Sequence, residues 1–284
     1  MRAPAKSSAG ADAYGRAAEA VRTRDRDRYV ANLFAPEPAR KHLFALHAFN
    51  AEVARVRDVV SDPALGEIRL QWWRDAIAQG DGGGNPIAIA LTDTIARFSL
   101  PQQAFDQLID ARLFDLYNDP MATLNDLEGY AGETSSSLFQ LAAIVLAGGQ
   151  DPGTATAAGH AGVAYAIAGL LRTLPRHAAR RQCYLPEAMI VSRSVDKEGM
   201  FAGDATPELR RLLADLRTIA RQHLAEAERE LGEIDPVLKP AFLPLALVRP
   251  YLERMDRPDY QPFAGVELPP WRRQWIVWRA ARKM

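Results

Sequence analysis

The chain has 284 residues, enough for one large domain with a sizeable core, and its 48% apolar and 25% charged residues are those of an ordinary globular protein. Its 35 basic residues balance 35 acidic ones, which argues against broad electrostatic capture of nucleic acid, and the single cysteine, Cys183, excludes an internal disulfide and a four-cysteine zinc site. No apolar run approaches the roughly 20 residues that span a bilayer, and the opening M-R-A-P-A-K-S-S-A-G-A lacks a hydrophobic signal core. The chain is therefore expected in the cytoplasm, with residues 1–11 as a disordered tail ahead of one helical domain over residues 12–284.

Residues 11–31 carry Tyr14, Ala17, Ala18 and Val21 among arginines and aspartates, the pattern of an exposed amphipathic helix. Pro36 and Pro38 mark a turn before the clearest helix of the chain, residues 39–60, where Leu43, Leu46, Phe49, Val53 and Val56 recur at helical spacing. Pro63 and Gly66 are expected to end it, and a helix resumes over 68–78 with Leu70, Trp73 and Ile77 as core candidates. The run Gln79 to Pro86, with four glycines, reads as a flexible loop; it has neither G-x-G-x-x-G nor a P-loop lysine, so it does not cradle phosphate. Two helices follow over 87–98 and 102–118, then a long helix over 123–147 and an alanine-rich one over 155–174. After Tyr184-Leu185-Pro186 a polar connector is expected to about Thr206, before Pro207 opens a helix with a leucine stripe. Residues 236–255 form a helix broken up by Pro240, Pro244 and Pro250. No segment alternates as a strand would, so the fold class is all-α.

The stretch Gly162 to Pro186 joins an apolar helix to a basic cluster. Arg172, Arg176 and Arg180 stand at i, i+4 and i+8, one face of a continuing helix, but Pro175 predicts a kink near Leu174. Such a cluster suits either an anion site or a helix terminus whose charges complement the dipole. The five histidines show no H-E-x-x-H or other ligand spacing, and Ser135–Ser137 has no G-x-S-x-G context. In the last segment Trp271, Trp275 and Trp278 fall at i, i+4 and i+7, with Arg272, Arg273, Arg279, Arg282 and Lys283 and no acid after Glu267. Core packing is the plain expectation for that stripe; a membrane-surface or partner-binding helix is the alternative.

The strings A-F-N-A-E-V-A-R-V-R-D (48–58), L-G-E-I-R-L-Q-W-W-R (65–74) and L-R-T-L-P-R-H-A-A-R-R-Q-C-Y-L-P (171–186) resemble the squalene/phytoene synthase family, in a branch that includes a mitochondrial assembly factor for respiratory complex I. The resemblance implies a single helical bundle of the isoprenoid synthase type around an apolar central cavity. In active members, carboxylates on two facing helices hold magnesium ions, which bind a prenyl diphosphate and stabilise the departing diphosphate. Where the first motif has D-D-x-x-D, this chain has Ala54, Arg55 and Asp58; the second retains Arg172 and Tyr184-Leu185-Pro186, but Gly169, Thr173 and His177 stand where the asparagine and both aspartates would be. No magnesium site is therefore expected, unless Asp58 and Asp62, at i, i+4, form a shifted pair; Asp62 precedes Pro63, which disfavours helical geometry there.

What the resemblance implies is a non-catalytic factor acting on complex I subunits or assembly intermediates, with an isoprenoid or other lipid as an open ligand question. The alternative is an active head-to-head prenyl transferase using magnesium. Arg40, Arg172, Arg176 and Arg180 are the candidates for binding a diphosphate without metal, because guanidinium forks match phosphate oxygens. The C-terminal Trp/Arg helix would allow peripheral contact at the inner face of the membrane.

Overall fold

The structure is a computed structural model and describes residues 5–117 and 119–283. No strand occurs among the described residues, as the absence of alternation predicts. Helix α1 (Ala5–Arg24) begins inside the stretch read as a tail, and residues 1–4 lie outside the described residues. Ala13, Ala17 and Val21 are buried on its inner face. Asp25 interrupts the chain and caps α2 (Arg26–Asn32) by accepting from the Arg28 N–H.

Helix α3 (Glu37–Ala54) buries His42 to Asn50 almost continuously and ends at Arg55; a single turn, α4 (Val56–Val59), follows. Pro63 does not end a helix but starts α5 (Pro63–Gln79), at a position where a missing N–H costs nothing. Gly66 lies within α5 because Leu116 occupies the space a Cβ would need. The glycine run forms a short 3-10 turn, and α6 (Pro86–Phe98) and α7 (Gln102–Phe114) come next.

The expected long helix over 123–147 is three pieces. Helix α8 (Leu124–Ala131) starts on a capping box between Thr123 and Asp126, a π-helical segment takes Gly132–Ser136, and α9 (Ser137–Leu146) continues. The π segment meets α10 (Ala155–Arg172) at Gly162, where a Cβ would run into the Ser136 backbone and hydroxyl, and the Ser136 hydroxyl donates to the Gly159 carbonyl at 2.9 Å. Pro175 acts as predicted: α10 ends at Thr173, and α11 (Leu174–Ala179) begins with the proline in its first turn.

The connector read as polar loop contains α12 (Glu187–Ser192) and α13 (Lys197–Ala202), which bury Ile190 and Met200. Helices this short carry too few residues for periodicity to reveal them. Helix α14 (Pro207–Leu231) packs its leucine stripe along α10. A proline-containing 3-10 segment (Pro236–Leu247), α15 (Val248–Met255) and α16 (Pro270–Ala281) complete the chain. One hydrophobic cluster runs from Ala31 to Val277, and a second joins Ala13, Ala17 and Val21 of α1 to Phe44, Ala45 and Ala48 of α3 and Ala90 of α6.

Substituting Gly162→Ala is expected to destabilise the protein by about 1–3 kcal/mol, the usual cost of overpacking, because backbone opposes the new methyl. Gly159→Ala, with open space at its Cβ, is expected to be neutral or stabilising by up to about 1 kcal/mol. Urea unfolding midpoints of the two variants check the contrast.

Candidate functional site

Both motif segments break beside one cavity, α3 at Arg55 and α10 at Thr173. The cavity opens between them and has a volume of about 510 Å³. Six arginines line it, Arg24, Arg28, Arg55, Arg112, Arg172 and Arg176, against two carboxylates, Asp25 and Asp58. The stretches that the resemblance pairs therefore do face each other, across a basic space. That space is not the apolar cavity the resemblance implies: arginines and Asn50, Tyr130, Thr134 and Ser135 supply much of its wall. Behind the lining residue Tyr165, Phe139 stands edge-on to its ring and stacks on Phe242.

The arginines are held in different ways. Arg28 is buried, donates to Asp25 at 2.7 Å and lies 4.8 Å from the centre of the Tyr165 ring. Arg24 pairs with Glu52 at the margin. Arg112 belongs to a buried network centred on Asp115, donating to its carboxylate at 3.1 Å and to the Tyr130 hydroxyl at 2.6 Å. Tyr130 and Tyr184 donate to the same carboxylate at 3.0 and 2.7 Å, and Gln182 donates to the Tyr184 hydroxyl at 2.7 Å. Burial raises the pKa of both phenols well above the ordinary range, so both stay protonated donors. Arg172 lies 4.6 Å from the centre of the Tyr251 ring. The Nε atoms of Arg112 and Arg172, two donors, and the Oδ1 of Asn50, an acceptor, are buried without a hydrogen-bond partner.

Of the diphosphate candidates, Arg172 and Arg176 line the cavity, while Arg180 stands at its rim, paired with Asp58. Arg40 is not brought to them: it sits in the first turns of α3, outside the lining, and donates to the Ala35 carbonyl at 3.1 Å. Arg24, Arg28 and Arg112 were not legible as site residues, because they come from segments remote from both motifs; Arg55 lies in the first motif, where it stands in an aspartate's place.

Asp58 faces α11 as the first motif's surviving carboxylate. Its oxygens accept from Arg176 at 3.1 Å and from Arg180. All three side chains are substantially exposed, so this clasp contributes on the order of 0–1 kcal/mol and an incoming anion can compete for it. Asp62 does not join Asp58 as a shifted metal pair: its backbone is extended, and its carboxylate caps α5 by accepting from the Ala64 N–H at 2.9 Å. Among the described residues no three His, Cys, Asp or Glu side chains gather in a metal-holding arrangement. The donor set does not fit the magnesium ions of active enzymes, because the facing carboxylate is already neutralised by guanidinium groups.

His177 stands where the second motif would place an aspartate and packs 4.7 Å from the Tyr184 ring. Burial, with Arg176 beside it, pushes its imidazole down to about 4. His42 and His47 are pushed down to about 4 and about 3, chiefly by burial. Each is neutral in the fold but protonates near 6.5 once unfolded, so its contribution is intact above that pH and is lost as pH falls. Unfolding free energy is therefore expected to fall as pH drops from 6.5 towards 4, and to fall less steeply in His177→Gln. Urea midpoints taken across that window check both.

A family model described as squalene/phytoene synthase matches residues 21–279. The "NADH dehydrogenase (ubiquinone) complex I, assembly factor 6" of Rattus norvegicus is 32% identical over 248 residues, which cover 86% of this chain and 74% of that protein. "Phytoene synthase 1, chloroplastic" of Arabidopsis thaliana is 24% identical over 263 residues, covering 89% of this chain and 62% of that one. In structure, squalene synthase HpnC from Alicyclobacillus acidocaldarius superimposes with a TM-score of 0.79 at 22% identity, covering 92% of this chain and 98% of that one, which establishes the all-α fold of the isoprenoid synthases.

Proposed function

The chain belongs to the squalene/phytoene synthase family, and from that membership we propose that it serves in building respiratory complex I and transfers no prenyl group. The observation that carries the second half is the charge of the cavity. Prenyl transfer in this family needs carboxylate-held magnesium, whereas here an arginine and neutral residues occupy all of those places but that of Asp58, which is paired with Arg176 and Arg180. The relative of Rattus norvegicus, a complex I assembly factor by name, supports the first half. Turnover with displaced metal ligands would require Asp62 beside Asp58, and Asp62 is committed to capping α5.

The cavity is read as a metal-independent receptor for a phosphate-bearing ligand, with Arg28, Arg112, Arg172 and Arg176 as its donors. Guanidinium groups bind phosphate oxygens directly, through charge-assisted hydrogen bonds that need no bridging ion. An isoprenoid diphosphate would present the right head group. Asp58 then acts as an internal competitor for Arg176 and Arg180.

Purified protein given farnesyl diphosphate and magnesium is expected to release no diphosphate, and a strain lacking the gene to contain less assembled complex I with lower NADH oxidation. Clear magnesium-dependent product would refute the proposal, as would an unchanged complex I level in the deletion strain.

Binding of pyrophosphate is expected to persist in EDTA, to weaken about tenfold or more in Arg172→Gln through loss of a charged hydrogen bond, and to tighten in Asp58→Asn. Calorimetric titration separates this from a magnesium site, in which Asp58→Asn would weaken binding and EDTA would abolish it.

A further inference from the structure

The tryptophan stripe of α16 is not core. Trp271 is 69% exposed, Trp275 49% and Trp278 44%. The helix is nevertheless fixed to the body of the protein. Val277 is buried, Ile276, Ala280 and Ala281 pack on the hydrophobic cluster, and Arg273 pairs with Asp27 of α2 at 3.1 Å. One face thus anchors the helix while the other presents three indoles to solvent.

The charges on that outer face have one sign. Arg272, Arg279, Arg282 and Lys283 are exposed, and no acidic residue follows Glu267. The guanidinium of Arg279 lies 5.3 Å from the centre of the Trp275 ring, and that of Arg282 lies 4.8 Å from the centre of the Trp278 ring. Indoles seat at the level of lipid head groups, apolar body inward and N–H outward, and neighbouring cations favour an anionic surface. Tryptophan and arginine are also common at protein interfaces, so the lipid assignment rests on the single sign of charge along this face and on the seating of indoles at head-group level. No helix among the described residues is long and apolar enough to cross a membrane, and α16 has 12 residues.

We propose that α16 docks on an anionic lipid bilayer, lying in the interface with Trp271, Trp275 and Trp278 inserted and Arg272, Arg279, Arg282 and Lys283 over the head groups. This goes beyond the assembly reading and stands on different residues.

The test is sedimentation of the full chain with phosphatidylcholine vesicles, with and without phosphatidylglycerol. Binding is expected to the mixed vesicles and to fall as salt is raised. It is expected to drop more than about tenfold in Arg279→Gln/Arg282→Gln, at roughly a fivefold change per basic residue near the surface. Trp271→Ser/Trp275→Ser is expected to lose binding too. All four side chains point outward, and unchanged far-UV circular dichroism verifies that the variants fold. Binding to neither vesicle, equal binding to both, or sedimentation of either variant like the parent overturns the proposal. Dimerisation that the tryptophan variant abolishes, with no vesicle binding, assigns the face to a second copy and also overturns it.

Discussion

Collecting guanidinium groups around one cavity is the constraint from which the rest of this structure follows. A buried cation is stable only when neighbouring groups replace its water. Arg28 has Asp25 and the Tyr165 face, Arg112 has Asp115 and Tyr130, and Arg172 has the face of Tyr251, while the exposed Arg176 pairs with Asp58. The partners come from every part of the chain. The Asp115 carboxylate alone ties together the end of α7, the Tyr130 side of α8 and the Gln182–Tyr184 segment. These attachments fix where the helices meet, and the Nε atoms of Arg112 and Arg172 remain without a partner. That is the difference between a basic patch and a basic site.

The same geometry explains why the altered motifs are mutually consistent. Active enzymes of this architecture place acid opposite acid and let a metal join them. Here Asp58 stands opposite Arg176 and Arg180, so the two segments attract each other without an intermediary. His177, neutral and packed on Tyr184, fills an aspartate's place with a ring that contributes to the core. Losing one carboxylate would leave a damaged metal site. Losing most of them while placing arginines nearby produces a different electrostatic surface on an unchanged scaffold.

Much of this was legible in the sequence, for physical reasons that also mark its limit. Pro175 forbids continuation of α10, and the structure breaks there. The two motif segments could be paired from their residues, and they line one cavity. Arg24, Arg28 and Arg112 escaped because an arginine on a short or amphipathic helix looks solvated until its distant partners are known. Pro63 was misread because a proline can end one helix or begin the next, and only the Asp62 cap decides which. The α16 tryptophans share a face, as their spacing requires, but periodicity cannot say whether that face turns towards core or solvent. Arg40 shares its residue type with the site and nothing else.

The π segment between α8 and α9 has a consequence for how the chain can change. An extra residue in a helical turn rotates everything beyond it by about 100°, one residue's share of a 3.6-residue turn. The buried face of α9, with Leu138, Leu141, Ala142 and Val145, is in register with its neighbours only because that residue is present. Deleting one residue between Gly132 and Ser136 would restore an ideal helix and swing those side chains out of the core. The irregular turn is thus a phase setting for the sequence that follows it, and a change of length there shifts every later side chain of the helix at once.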